Sequence, residues 1–307
     1  MQPGLPYVAP FLGVRGKALQ AEEAPPMIQL KHVVCAVSLC LSPLALLAQA
    51  DVSMGPPPVL TIVREFTKPG KGGALHEKTE GAYVAASKAG KAPFHYIGMT
   101  SLTGPDRALF FSGYSDLASW EAERKATSPA LGAALDKVNV ADGDLLSSTD
   151  SSVWTMRKDL SLNIPGIQGA RYFEIQQFLV KPGHHAEFTE LVKLYMSASK
   201  GNPDINWVTY EQMFGAEGDA VLAITLHKSM AGIDKEMSGF ETAMKSMDKD
   251  TIKKLHELEA ASIQHQMDNV FVLSPKMSLP PASYITAEPD FWTPKTTAAP
   301  VKKTTTP

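Results

Sequence analysis

Cysteine is almost absent. The chain has two in 307 residues, Cys35 and Cys40, both inside one apolar run near the N-terminus. That run, Val33 to Leu47, follows a short basic region with Lys31 and His32 and closes on Ala48-Gln49-Ala50, the A-x-A pattern of a secretory signal peptide beginning at Met27. Cleavage after Ala50 leaves a mature chain with no disulfide, no thiolate metal site and no cysteine nucleophile. Charge of one sign is lacking too: 29 Lys and Arg against 32 Asp and Glu give a net charge of -3, which is no footprint for nucleic acid. Long hydrophobic runs are also lacking. The one near the N-terminus is interrupted by Pro43 and is short for a spanning helix, so no membrane span is expected after signal cleavage. Nor is there a Gly-rich phosphate loop or a defensible Ser-His-Asp ordering.

Residues 1–26, rich in Pro, Gly and Ala, read as a non-native extension ahead of a true start at Met27, and residues 27–50 as the signal peptide. The mature protein is therefore expected to be secreted or periplasmic. With 44% hydrophobic and 20% charged residues, the remainder reads as a folded globular chain.

What is present is repetition. Lys68-Pro69-Gly70 returns as Lys181-Pro182-Gly183, 113 residues later, and Leu160-Ser161-Leu162 is echoed by Met277-Ser278-Leu279. Each Lys-Pro-Gly follows a short β-rich run, Val59 to Phe66 or Tyr172 to Val180, and precedes a helical stretch, Gly73 to Ala89 or His184 to Ser199. In the latter, Phe188, Leu191, Val192, Tyr195 and Met196 keep amphipathic spacing. Two strands follow in each half, Phe94 to Leu102 and Ala108 to Tyr114, then Trp207 to Phe214 and Ala220 to Leu226. Helices are expected from Asp116, an N-cap, through Trp120 and over Pro129 to Leu146. In the second half they run over Met230 to Met247 and Thr251 to Gln266. Val153 to Met156 and Val270 to Leu273 close the halves.

The order β-α-β-β-α-β, twice, predicts an α+β fold of two ferredoxin-like units, 58–162 and 170–279, forming a pseudo-symmetric α+β barrel. The Pro-, Thr- and Lys-rich tail, 280–307, is expected to be mostly disordered, with Phe291 and Trp292 docking on the body. The element order, the Lys-Pro-Gly turn and Tyr114-Ser115-Asp116-Leu117-Ala118-Ser119-Trp120 resemble the dimeric α+β barrel superfamily, its NIPSNAP-like and antibiotic-biosynthesis-monooxygenase-like domains above all. The resemblance covers roughly Pro58 to Leu279, in tandem. It implies a fold but no single chemistry, because that superfamily holds cofactor-free oxygenases, haem-degrading enzymes, haem peroxidase relatives and domains without known catalysis. The second half departs from the phrase, reading Leu226-His227-Lys228-Ser229-Met230, which favours one asymmetric site.

On the first strand of each half, Leu60, Ile62 and Phe66, with Phe173, Ile175 and Leu179, form an apolar face expected under the helices. The opposite face, with Thr61, Val63 and Glu65 or Tyr172, Glu174, Gln176 and Phe178, is expected to line the barrel. Whether it walls a ligand cavity or a wet barrel mouth stays open. No catalytic set is assigned; the candidates are His95 and Glu174 as a base, with Tyr96, Gln176, Trp207 and Tyr210 as ligand-binding residues. The other reading of Tyr96 and Trp207 is core packing. No metal site is expected. His76, Glu77 and Glu80, at helical spacing but not repeated at Thr189 and Glu190, read as a solvated face, and His184-His185 as a surface pair. No cofactor is expected, haem included: His95, His227 and His265 are the positional candidates for an axial ligand, and no spacing singles one out.

The function expected is an exported small-ligand-binding or interaction module. The alternative is a cofactor-independent oxygenase-like enzyme acting on a small organic substrate in the barrel cavity. A monomer is preferred to a homodimer, since a tandem chain can satisfy its own pairing.

Overall fold

The computed structural model describes residues 55–293. The expected signal segment, both cysteines and residues 294–307 lie outside the described residues. The first half runs β1 (Val59–Thr67), α1 (Ala74–Ala89), β2 (Tyr96–Ser101), β3 (Arg107–Tyr114), α2 (Leu117–Ala126), α3 (Pro129–Gly143) and β4 (Leu146–Met156). The second runs β5 (Tyr172–Val180), α4 (His185–Ser199), β6 (Val208–Phe214), β7 (Asp219–His227), α5 (Met230–Ser246), α6 (Lys249–Ser262) and β8 (Ile263–Leu279), followed by α7 (Ala282–Ala287) and α8 (Pro289–Trp292). Helix starts are set by local chemistry. Asp116 and Ser119 form a capping box at α2, Ser128 caps α3 ahead of Pro129, and Asp248 accepts from the Thr251 amide at α6.

The eight strands form one closed antiparallel barrel in the order β1-β3-β2-β8-β5-β7-β6-β4, with β4 pairing back onto β1. Within each half the order is the same, β4-β1-β3-β2 and β8-β5-β7-β6, and the halves join through β2–β8 and β4–β6. One sequence echo marks a turn within each half and the other a contact between the halves. Gly70 and Gly183 take φ of 75° and 84°, a conformation that favours glycine. The Lys68 and Lys181 ammonium groups bond carbonyls at the ends of α3 and α6, at Asp144 and Ala260, where a helix presents its negative pole. Ser161 Oγ accepts the Thr209 amide of β6, and Ser278 Oγ the Gly98 amide of β2, each at 2.9 Å.

The expected facing of the strands is reversed. Leu60 and Ile62, with Phe173 and Ile175, point into the barrel, where they pack with Met99, Phe111, Trp154, Leu222 and Phe271. A barrel of this size is filled by side chains, here apolar ones except at one end, where Arg64, Arg107, Gln177 and Asn269 line a small space. Glu65, Glu174, Gln176 and Phe178 face outward, into the layer between sheet and helices. The last helix of each half is shorter than expected and the closing strand longer: Ile263 to Gln266 belong to β8, because that strand must reach across β5 and also β2. The tail begins with order. Tyr284 and Trp292 join the barrel's apolar cluster, and Arg171 pairs with Glu288 at 2.7 Å and lies over the Phe291 ring. No helix among the described residues is long and apolar enough to cross a membrane.

Candidate functional site

Because the helices cover the outer faces of the sheet, each half encloses a layer of its own. In the first half that layer holds a cavity of about 530 Å³ walled by Tyr83, Phe94, Tyr96, Phe110, Tyr114 and Trp120, with Glu65, Glu80, Glu123 and Arg124 among its polar groups. The second-half cavity, about 370 Å³, is walled by Phe178, Phe188, Leu191, Tyr195, Trp207 and Phe240, with Gln176, Thr225, Glu236 and Glu259. Inside one end of the barrel, between Pro57, His95, Tyr210 and Tyr284, a space of only about 100 Å³ remains. Sites for drug-sized molecules run from ~300 Å³ upward, so the two outer layers have the capacity and the barrel interior does not.

At the floor of the first layer, strand β1 supplies Glu65, helix α1 supplies His76 and Glu80 one turn apart, and α3 supplies Asp142. His76 Nε2 lies 3.0 Å from Glu65 Oε2 and 3.4 Å from Asp142 Oδ1. Thr79 donates its hydroxyl to Asp142 at 2.5 Å. His76 and Glu80 are 2% and 5% exposed, which overturns the solvated-face reading; only Glu77 turns outward, to Lys276. The reason is the inverted sheet: its polar face meets α1, so polar residues are drawn to the buried side of that helix. Burial first, then the charges of Glu65 and Asp142, push the Glu80 carboxyl up to about 9, so that it is a neutral acid at neutral pH. Farther along the cavity wall, Tyr114 donates to Glu123 at 2.6 Å; burial raises both, the carboxyl in spite of the tyrosine. The Tyr96 hydroxyl is buried with no hydrogen-bond partner among the described residues, and burial raises it as well.

The second layer carries its charges elsewhere. Glu174 of β5, His227 at the end of β7 and Glu236 of α5 converge, with His227 Nε2 at 3.1 Å from Glu236 and 3.4 Å from Glu174. These are ion-pair distances without hydrogen-bond alignment on Nε2. Burial alone would lower His227, but the two carboxylates outweigh it and hold the ring at about 9, hence cationic at neutral pH. Glu174 is correspondingly lowered, mainly by His227, while burial raises Glu236. Gln176 bridges Glu174 and Asp268, whose carboxyl is raised to about 6 by burial and by Glu174.

The structure does not bring His95 and Glu174 together. His95 lines the small space inside the barrel end, whereas Glu174 lies on the outer face, bound to His227. Tyr96 lines the first cavity, and Gln176 and Trp207 the second. Tyr210 lies inside the barrel and donates to the Pro57 carbonyl at 2.9 Å, so it walls no outer cavity. His265 is exposed, and His184 and His185 form surface pairs with Glu187 and Asp219. Sequence reasoning missed Asp142, Glu236 and the Tyr114–Glu123 pair. One signal for them was available: nine residues separate Tyr114 from Glu123 and also His227 from Glu236, and the two pairs are 113 residues apart.

No protein-family model matches the chain, and no curated protein matches it in sequence. Among solved structures it is similar to a putative monooxygenase from Fusobacterium nucleatum, at 12% identity and a TM-score of 0.47, covering 71% of this chain and 93% of that one. It is also similar to an anthrone oxidase-like protein, at 11% identity and a TM-score of 0.46, covering 71% and 92%. A chlorite dismutase variant from Candidatus Nitrospira defluvii gives 9% identity and a TM-score of 0.47, covering 75% and 96%. Likenesses this distant decide nothing about the chemistry of the site.

Proposed function

We infer that the protein binds a small organic molecule in the first-half cavity, and that the chain is a tandem of two ferredoxin-like units forming one barrel. The observation that carries the reading is the cavity itself: about 530 Å³, ringed by aromatic side chains, with carboxyl, phenol and guanidinium groups on the same walls. Such walls suit an aromatic molecule bearing hydroxyl or carbonyl groups. The closed barrel supports a monomer, since no sheet edge is left for another copy. Export rests on the signal-like segment 27–50 alone.

The test is isothermal titration of the purified protein with 2-naphthol, beside native mass spectrometry for a co-purifying ligand. Saturable binding that Ser112→Phe weakens, by filling the cavity, supports the reading. A ligand-free mass together with no naphthol binding sinks it.

A cofactor-independent oxygenase-like enzyme is the second reading. It is favoured by the placement of ionisable groups on the cavity wall rather than outside it, among them a Glu80 carboxyl held neutral and able to donate a proton. Dioxygen would be the oxidant. Oxygen uptake with hydroxylated aromatic substrates, lost in Glu123→Gln and retained in Glu236→Gln, is the outcome expected of it.

A further inference from the structure

The four-residue cluster at the floor of the first layer has a composition that the cavity's own walls do not explain. Three carboxylates and one imidazole are gathered from three separate elements, and each offers an atom within 4.8 Å of all the others. Their spacing, which also suits a hydrogen bond between His76 and Glu65, is compatible with one shared cation. With metal–ligand bonds of ~2.1 Å, neighbouring ligands lie ~3.0 Å apart around an octahedron and ~3.4 Å apart around a tetrahedron. His76 Nε2 stands 3.0 Å from Glu65 and 3.4 Å from Asp142.

Charge points the same way. Three acidic side chains face a single imidazole, and among the described residues no lysine or arginine forms an ion pair with any of the four. A cation bound among them would supply the positive charge that the chain does not. A separate observation concerns Glu80. The residue is 5% exposed, it offers an oxygen within 4.8 Å of the other three, and among the described residues it has no hydrogen bond or ion pair, while it also lines the first cavity, from which a cation can reach it. The donor set narrows the choice: one imidazole favours a first-row transition metal, and three carboxylates favour its harder members.

We propose that Glu65, His76, Glu80 and Asp142 form a binding site for a divalent first-row cation of the Mn²⁺ or Zn²⁺ kind. Asp142 is held in place by the Thr79 hydroxyl, an outer partner of the sort that orients a ligating carboxylate. Glu65 and Glu80 also line the first cavity, so the cation would face whatever molecule enters it. The site stands on the cluster's own geometry and does not depend on the ligand of the cavity.

The test uses the purified protein after chelator treatment, titrated with MnCl₂ alone while the signal of free Mn²⁺ is followed by electron paramagnetic resonance. Competition with ZnCl₂ and a chromophoric chelator gives the second affinity. Expected are one equivalent bound, a loss of affinity of at least about tenfold in Glu80→Gln and in His76→Gln, and no change in Glu236→Gln. Circular dichroism confirms folding, and Glu80→Gln keeps the shape of the side chain while removing the carboxyl that would ligate the metal. No saturable binding of either metal to the wild-type protein overturns the proposal. Binding that survives Glu80→Gln and His76→Gln but is lost in Glu236→Gln overturns it too, in favour of the second-half cluster. Neither outcome touches the naphthol result, which is obtained without metal.

Discussion

The two halves place their ionisable groups at opposite ends of the same layer. On the first strand, Glu65 stands opposite Ala108 and Phe178 opposite Val221, so Glu65 and Phe178 hold equivalent positions. Glu65 meets His76; Phe178 meets Phe188, with ring centroids 5.4 Å apart. That end is acidic in the first half and apolar in the second. At the other end the pattern changes over: Tyr114 with Glu123 in the first half answers His227 with Glu236 in the second, and Thr61 stands where the second half has Glu174. The barrel interior, by contrast, is apolar through its middle in both halves, with Arg64 and Arg107 only at one end. One apolar cluster thus spans both halves inside the barrel, while the two helix-covered layers, each with its own apolar cluster, differ in where they hold their ionisable groups. The two buried clusters differ as well: around His227 the ring stands against both Glu174 and Glu236, and around Glu80 the carboxyl has no cation paired with it among the described residues.

The sharpest way to break this contrast is to remove the internal cation. His227→Leu leaves Glu174 and Glu236 buried without a counter-charge and is expected to cost about 3 kcal/mol at pH 7. That is a fall of roughly 6–12 °C in melting temperature. Adding Glu174→Gln and Glu236→Gln to it should recover most of the loss; no recovery would mean that the ring mattered for its shape rather than its charge.

The next effect is a pH dependence. His227 is held at about 9 in the folded chain against 6.5 for a free histidine. A basic group raised by folding stabilises fully below its unfolded value, so this contribution is complete below pH 6.5 and is lost as pH rises through 9. Its size is about 2 kcal/mol, to be read from urea unfolding between pH 6 and 10. The same alkaline decline persisting in His227→Leu would locate it elsewhere.

The smallest effect tests the symmetry itself. Ser161→Ala and Ser278→Ala each leave one buried strand amide without its acceptor and should each cost about 1 kcal/mol. A large inequality between them would show that the halves are not joined in equivalent ways.

Much of the fold could be read in the sequence because the echoes fall on closure points. Lys-Pro-Gly marks a turn that needs positive φ, and the Leu/Met-Ser-Leu phrase marks a buried serine that accepts an amide from the other half. The facing of the strands could not be read, because a pattern with period two does not say which face a closed barrel takes inside. The candidate site suffered from that inversion: His76 and Glu80 were placed toward solvent for want of a polar sheet face beneath them. The fixed spacing misled as well. Helix α1 starts four residues after Gly70 but α4 two residues after Gly183, so Thr189 and Glu190 are not the counterparts of His76 and Glu77; in the second half it is Phe188 that packs on the strand, against Phe178. Asp142 was invisible because only the packing of α3 beside α1 brings it to His76.

The two serine contacts have a consequence for how the chain can be cut. The segment that ends each half completes its bonding at the start of the other's edge strand: Leu162 bridges Trp207, just before β6, and Leu279 pairs with Tyr96 of β2. Neither half is whole alone, since each lends its closing residues and borrows those of its neighbour. Severing the connector between residues 163 and 169 would therefore yield two fragments that are poor folders apart and natural complements together, a split protein whose reassembly reports on their encounter.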